Sequence, residues 1–305
     1  MKKKFELANL SKNLLYCVCF SICALNLTAC DDDDENGTQG NGPAPIGIPS
    51  SVVDGVRATS MSGVDVTYNE DGTIKEAEVD GNTLVFNYVS SRAIKVDPIR
   101  SLISITSSER ESERWIASDF AFNTSGFVTA YKLKYTDTDS REEMNIAYTF
   151  NYNADGQMQK ISMKTDGKDD EGSYSESGEI NYTYNNKVLE KIEAKSKNIT
   201  CSQTYEYTQA IKNTYNAMPL LLLPEELASD DCVFNVFAIT GYLGNAGANL
   251  PTAMTIKNTD LEDPSENSTE RYNLSYTLNE NKAIASYTLS GYGETMTFPC
   301  DWTNF

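Results

Sequence analysis

Residues 146–161 read Ile146-Ala147-Tyr148-Thr149-Phe150-Asn151-Tyr152-Asn153-Ala154-Asp155-Gly156-Gln157-Met158-Gln159-Lys160-Ile161. The first seven side chains alternate between large apolar groups and small or polar ones, which is the period of two of a half-buried β-strand. The four residues from Asn153 to Gly156 accept the backbone angles of a tight turn, and apolar residues then restart a strand. The stretch therefore predicts a β-hairpin with one packed and one solvated face.

This strand-turn-strand unit recurs along the chain. Other copies lie at residues 68–77, 122–128, 184–192 and 278–284. The central intervals, Asn123 to Asn153 and Asn153 to Asn185, are 30 and 32 residues long, enough for one pair of hairpin strands per repeat. We expect turns centred on four residue pairs, Asp71-Gly72, Ser125-Gly126, Asp155-Gly156 and Asn185-Asn186.

The repeats predict a mainly β fold. We expect a single large antiparallel meander of about ten or more strands, strongly curved and barrel-like, built from hairpin repeats. Tyrosine and phenylalanine residues of the alternating strands share a face with aliphatic residues. That arrangement favours core packing for this aromatic stripe over a platform on which carbohydrate stacks.

A short helical insertion at about residues 210–247 breaks the β pattern. Pro224 followed by two glutamates is typical of a first helical turn. Apolar residues at helical spacing follow from Val233, and Gly241 and Gly244 are stop signals. We expect this segment to cover an open end or face of the sheet. A hydrophobic plug that completes the core is favoured over a lid that gates a ligand.

Residues 241–251, Gly-Tyr-Leu-Gly-Asn-Ala-Gly-Ala-Asn-Leu-Pro, lead from the insertion into a renewed strand. Together with the aromatic-Asn-x-Asp-Gly hairpins and the helical interruption, they resemble a family of secreted Bacteroidetes lipoproteins of unknown function, described as having a porin-like β fold. The resemblance spans most of residues 60–300. It implies a fold and a compartment, and it implies no activity and no catalytic residues.

The beginning of the chain predicts a lipoprotein. Residues 1–29 open with lysines, continue through an apolar stretch and close on Leu27-Thr28-Ala29, the order of a signal peptide. Residues 27–30, Leu-Thr-Ala-Cys, resemble a bacterial lipobox. We therefore expect lipidation of Cys30, which becomes the first residue of the mature chain. The apolar run is shorter than the about 20 residues of a membrane-spanning helix. The alternative is an ordinary cleaved signal with a chance cysteine.

Five acidic residues follow the cysteine: Asp31, Asp32, Asp33, Asp34 and Glu35. They resemble the surface-export signal of Bacteroidetes lipoproteins, so the expected location is the outer membrane, lipid-anchored at the cell surface. The alternative is the periplasmic face. Residues 30–50 then read as the lipidated cysteine with an acidic, Gly/Pro-rich tether, because they cannot bury enough apolar surface to become ordered. Residues 51–305 read as the β-meander domain.

The negative net charge of the chain excludes nucleic acid as a partner. Removing the signal peptide takes away four lysines and one glutamate, which leaves 21 basic and 43 acidic residues and a net charge of minus 22. Such a surface repels nucleic acid, whose binding depends on neutralising phosphates. The expected partners are the membrane, through the lipid on Cys30, and a glycan or protein ligand.

The chain contains no histidine, which removes the Ser-His-Asp triad, the Cys-His dyad and every histidine-based metal site. Three cysteines remain after Cys30, namely Cys201, Cys232 and Cys300. They allow one disulfide at most, and three buried reduced thiols fit the sequence equally well.

Carboxylates are the remaining candidates for chemistry. A glycoside hydrolase needs two of them at a defined separation, which a sequence does not show. Clusters such as residues 169–171 and 230–231 read as solvated loops or helix caps. Asn258, Asp260, Glu262 and Asp263 have oxygen ligands at tight spacing, but the glycine of an EF-hand loop is absent, so a solvated loop is favoured over a calcium site.

We therefore predict no catalytic residue, no metal site and no cofactor. The function that the sequence favours is a cell-surface lipoprotein acting as a non-catalytic binding module, with glycan as the candidate ligand. A scaffold or adhesin that contacts a protein ranks second, and a carboxylate-based glycoside hydrolase third.

Overall fold

The computed structural model describes residues 49–79, 82–88, 101–106, 113–137, 142–169, 172–196, 199–218 and 232–304. Within these ranges the chain is mainly β, as the repeats predict. None of the helices in these ranges is long and apolar enough to cross a membrane.

The described ranges contain eighteen strands. They are β1 (Val56–Met61), β2 (Val64–Tyr68), β3 (Ile74–Val79), β4 (Asn82–Tyr88), β5 (Ser101–Thr106), β6 (Glu113–Phe122), β7 (Val128–Asp137), β8 (Glu142–Tyr152), β9 (Met158–Asp169), β10 (Gly172–Asn185), β11 (Val188–Lys195), β12 (Ile199–Glu206), β13 (Ile211–Lys212), β14 (Asn249–Leu250), β15 (Ala253–Asp260), β16 (Ser268–Leu278), β17 (Ile284–Gly291) and β18 (Glu294–Asn304). An α-helix, α1 (Cys232–Ile239), precedes β14, and a 3₁₀ helix (Pro264–Glu266) lies between β15 and β16.

All of these strands except β13 and β14 belong to one antiparallel sheet. Successive strands pair with each other, and β12 pairs with β15 across the helical insertion. Met61 of β1 lies opposite Val64 of β2 and also opposite Cys300 of β18, so the order of paired strands forms a ring. The predicted strongly curved, barrel-like meander is confirmed.

Because neighbouring strands run in opposite directions, successive connections lie alternately at the two ends of the ring. One end, called the turn end, holds the connections at residues 69–73, 123–127, 153–157, 186–187 and 279–283, and both the helical insertion and the lead-in to β1 lie there as well. The opposite end, called the far end, holds the connections at residues 62–63, 261–267 and 292–293.

Local hydrogen bonds explain the repeated turns. Asn153 accepts at its carbonyl from the N–H of Gly156 and at its side-chain oxygen from the N–H groups of Asp155 and Gln157. Asn123 makes the equivalent bonds in its own turn. Gly156 has a φ of 73°, the left-handed conformation that glycine adopts without steric cost.

Three of the predicted turn centres are confirmed, and the fourth lies one residue further along the chain. Asn185 is the last residue of β10, and Asn186 and Lys187 form a two-residue turn with φ values of 49° and 65°. The copy at residues 184–192 is shorter than the others. Its turn is therefore a two-residue connection with positive φ at both positions, instead of a longer loop closed by glycine.

The core fills the inside of the ring, and α1 lies within it. Every residue from Val233 to Ile239 is buried. Phe237 stacks edge-on against Phe120 of β6, with ring centroids 5.5 Å apart, and Phe234 stacks against Phe150 of β8 at 6.3 Å. The aromatic stripe is thus core, and α1 is a hydrophobic plug. Residues 211–212 of the predicted helical insertion form the strand β13 instead, because they pair with β14. The predicted helix start at Pro224 lies outside the described residues.

Candidate functional site

The residues predicted to anchor and export the protein, Cys30, Asp31, Asp32, Asp33, Asp34 and Glu35, lie outside the described residues. The described chain begins at Pro49, which packs against the turn end. The N–H of Ser50 donates to the carbonyl of Ser125 at 2.9 Å, and Ser51 Oγ donates to the carbonyl of Gly241 at 2.5 Å. The segment that precedes β1 therefore enters the fold at the turn end.

A strap of residues 242–248, which follows α1, occupies the same end. It makes hydrogen bonds with three successive repeat turns. The carbonyl of Tyr242 accepts from Val128 N–H at 2.9 Å, Asn245 N–H donates to the carbonyl of Gly156 at 2.8 Å, and Ala248 N–H donates to the carbonyl of Lys187 at 2.9 Å. The plug, the strap and the incoming chain therefore meet at one part of the turn end, where backbone groups of the strap and of the incoming chain bond to the repeat turns.

Arg57 is a buried cation at the turn end. Its guanidinium lies 5.0 Å from the ring centroid of Tyr68 and 5.7 Å from that of Tyr242, and its side chain donates to the carbonyl of Gly72. Burial raises the pKa of the Tyr242 phenol, and the nearby Arg57 opposes that rise. The arrangement ties β1 to the strap.

The acidic cluster at residues 258–263 forms a hydrogen-bonded loop. Asp260 Oδ1 accepts from the N–H groups of Glu262 and Asp263, at 2.8 and 2.9 Å, and Asp263 Oδ1 accepts from Ser265. These are the bonds of a solvated loop. No group of three or more metal-binding side chains occurs in the part of the chain that the structure describes. Residues 170–171 and 230–231 lie outside it.

The three cysteines after Cys30 carry reduced thiols in this structure. Cys201 and Cys300 are buried, and Cys232 is half-buried at the start of α1. Burial raises the pKa of the Cys300 thiol from 9.0 to about 12, so this thiol is protonated at neutral pH. Of the two arrangements that the sequence allows, three reduced thiols is the one present.

The far end of strands β7 to β10 has a different character, because inward-facing side chains there are only half-buried. Along β10 the inward positions change from the buried Ile180 and Tyr182 to the half-buried Tyr174 and Glu176 as the far end is approached. The register places Tyr174 opposite Gly167 of β9, Gly167 opposite Met144 of β8, and Met144 opposite Tyr135 of β7. Paired residues share a face, so these side chains form one row inside the sheet.

A glycine shapes this row. A Cβ atom on Gly167 would lie 2.2 Å from Cζ of Tyr174, so the tyrosine ring covers the glycine backbone directly. The row therefore offers an aromatic ring, a thioether and, two residues along β10, the carboxylate of Glu176. Apolar surface beside a few polar groups is the usual composition of a small-molecule site.

A second aromatic group lies at the far end, in the turn between β17 and β18. Tyr292 is 68% exposed, and its ring centroid lies 5.9 Å from that of Tyr272, at an interplanar angle of 63°. The hydroxyl of Tyr272 donates to the carboxylate of Glu270. Sequence reasoning missed Tyr292, since it belongs to no alternating strand. The available signal was a bulky ring between Gly291 and Gly293, where a turn is expected.

Comparison with known proteins identifies the fold. A family model described as a domain of unknown function (DUF4595) with porin-like fold matches residues 66–286. A porin-like protein from Bacteroides vulgatus ATCC 8482 is 12% identical, with a TM-score of 0.52 over 83% of this chain and 98% of that chain. A porin-like protein from Bacteroides uniformis ATCC 8492 is 17% identical, with a TM-score of 0.41 over 81% and 98%. No curated protein matches the chain.

Proposed function

The chain belongs to the family of domains of unknown function (DUF4595) with porin-like fold, and from that premise we propose that it is a lipid-anchored cell-surface protein that binds a glycan without catalysis. The family supplies the fold and names no activity. The proposal therefore depends on the residues of this chain.

The observation that carries the proposal is the difference between the two ends of the ring. At the turn end, the strap and the segment that precedes β1 are hydrogen-bonded to the repeat turns. At the far end, the inward-facing Tyr135, Met144 and Tyr174 are half-buried, so solvent reaches them. A ligand can therefore contact side chains inside the far end without displacing the plug.

The composition of the far end supports a glycan as the ligand class. Sugars present an apolar C–H face and hydroxyl groups, which match an aromatic ring beside a carboxylate acceptor such as Glu176 or Glu270. A mature chain with a net charge of minus 22 disfavours polyanions such as nucleic acid.

The proposed lipid attachment agrees with this difference between the two ends of the ring. If Cys30 carries lipid, the tether reaches the folded part at Pro49, at the turn end. The far end is then the end remote from the point of attachment. The acidic run after Cys30 supports display at the cell surface.

Affinity electrophoresis tests the proposal. The mature chain carrying Cys30→Ser is run in native gels that contain starch, xylan, pectic galactan or mucin, and calorimetry follows with any polysaccharide that slows it. We expect retardation by at least one polysaccharide and a dissociation constant below about 1 mM. Absence of both contradicts glycan binding, and a specific protein cross-link on intact cells would then favour the scaffold or adhesin function. Turnover of the polysaccharide would contradict the non-catalytic role.

A further inference from the structure

The two most exposed large apolar side chains of the described residues both lie at the far end. Tyr292 is 68% exposed in the turn between β17 and β18, and Leu261 is 60% exposed in the connection between β15 and β16. The strands that carry these connections are neighbours in the sheet. Exposed apolar side chains at this end of the sheet therefore make it the first place to look for an interaction site.

The backbone of Tyr292 is unusual for so large a residue. Tyr292 and Gly293 have φ values of 53° and 81°, and Gly291 pairs with Glu294 across them. A two-residue hairpin turn with positive φ at both positions favours Asn-Gly or Asp-Gly. A bulky residue with positive φ is an outlier, and such outliers concentrate at binding sites. The turn itself therefore does not explain why tyrosine stands here.

Hydrogen bonds hold the Tyr292 ring in one position. Its hydroxyl donates to the carbonyl of Thr269 at 2.9 Å and accepts from the N–H of Arg271 at 3.3 Å. The ring of Tyr272 fills the space beside Gly291, where a Cβ atom would lie 2.7 Å from Cδ1 of Tyr272. Two fixed rings lose little conformational entropy when a ligand binds, which makes them efficient contacts.

The carboxylate of Glu270 lies beside these two tyrosine rings. The Tyr272 hydroxyl donates to Glu270, and an ionised carboxylate has further lone pairs that accept from ligand hydroxyls. Together the three side chains offer an exposed aromatic surface beside a half-buried acceptor. A protein partner would bury a larger surface than this turn offers, whereas a single sugar ring is of matching size.

We propose that Tyr292, Tyr272 and Glu270 form the sugar-stacking site of the far end, with the apolar face of a pyranose against Tyr292 and its hydroxyls toward Glu270. This inference rests on the proposed function and assigns it to named side chains. The strained tyrosine is then explained, because the ring must project beyond the end of the sheet to meet a polysaccharide chain.

The variant Tyr292→Asn separates a binding role from a structural one. Asparagine suits positive φ better than tyrosine, so the turn and the melting temperature should be retained. The same gels and titrations are run with the mature chain carrying Cys30→Ser. Affinity for the polysaccharide should fall by about tenfold or more, as expected for a tyrosine that the bound ligand buries. Tyr292→Phe retains the ring but loses the two hydroxyl hydrogen bonds that fix it, so affinity should fall by only about threefold, less than in Tyr292→Asn.

Leu278→Ala is the matched control, since Leu278 is an exposed apolar residue at the turn end, and it should bind like the parent. If the parent binds a polysaccharide and Tyr292→Asn binds equally well, the site is wrong while the proposed function stands. If Leu278→Ala reduces affinity as much as Tyr292→Asn, the assignment to the far end is also wrong. If the parent binds none of the four polysaccharides, both proposals fail.

Discussion

Arg57 shows how a single residue can join two parts of this fold. The side chain is 2% exposed, its Nε and Nη2 atoms have no hydrogen-bond partner among the described residues, and none of the described ion pairs includes it. A buried charge without an ionic partner is costly, and its stacking between Tyr68 and Tyr242 offsets only part of that cost.

Substitution of Arg57 measures this balance. Arg57→Met removes the charge and both unpaired donors while keeping a long apolar side chain, so the free energy of unfolding should stay within about 1 kcal/mol of the parent or rise. Arg57→Lys should lower it by about 2 kcal/mol, because a compact ammonium is harder to bury and cannot stack as a plane. Urea denaturation of both variants provides the measurement. A large fall in the free energy of unfolding in Arg57→Met alone would show that the guanidinium makes a net stabilising contact.

At the scale of elements, the repeat turns have a second role beyond joining strands. Each of three successive turns makes a hydrogen bond to the strap, and Asn245 Nδ2 adds another to the carbonyl of Asp155. Gly244 is the closest point of approach. A Cβ atom there would lie 2.5 Å from the carbonyl oxygen of Gly156 and 2.8 Å from Cε1 of Tyr152.

Two glycine substitutions separate backbone strain from crowding. Gly244 and Gly293 have similar φ values, 88° and 81°, but a Cβ atom on Gly293 would meet nothing within 4 Å. Gly293→Ala should therefore cost only the left-handed strain, about 1 kcal/mol. Gly244→Ala should cost about 2 kcal/mol more through overpacking against the turn. Thermal unfolding of the pair tests the expectation, and equal losses would mean that the strap tolerates displacement from the turns.

At the scale of the whole molecule, the predicted attachment site leads to one end of the ring. The predicted lipid on Cys30 and the first packed residue, Pro49, are separated by a short polar stretch, and Pro49 lies against Gly126 at the turn end. If Cys30 carries the lipid, the location of the domain depends on this single covalent site.

Replacing Cys30 should therefore release the protein. Each buried methylene of an acyl chain contributes about 0.8 kcal/mol to membrane binding, so loss of the chains converts stable attachment into none. Cys30→Ser should move the protein from the detergent phase to the aqueous phase, and labelling by an alkyne fatty acid should disappear. Cys232→Ser, which changes a half-buried thiol of the plug, should partition like the parent. Fatty-acid labelling that persists in Cys30→Ser would refute lipidation at this residue.

The sequence by itself determined the hairpins, their turns and the face that packs. This was possible because the interactions are local. Asn153 satisfies N–H groups two and four residues away, and the period of two identifies the buried face without reference to a neighbour. The plug followed from the same kind of information, since an apolar segment of helical period must be buried somewhere.

Only the tertiary structure decided which residues meet at each end. The pairing of Val56 with Asn304 closes the ring across almost the entire described chain, and no local pattern encodes a partner so far away. The burial of Arg57 between Tyr68 and Tyr242 and the exposure of Tyr292 depend on that closure. Such positions are set by the sum of many strand registers, whereas a turn is set by its own few residues.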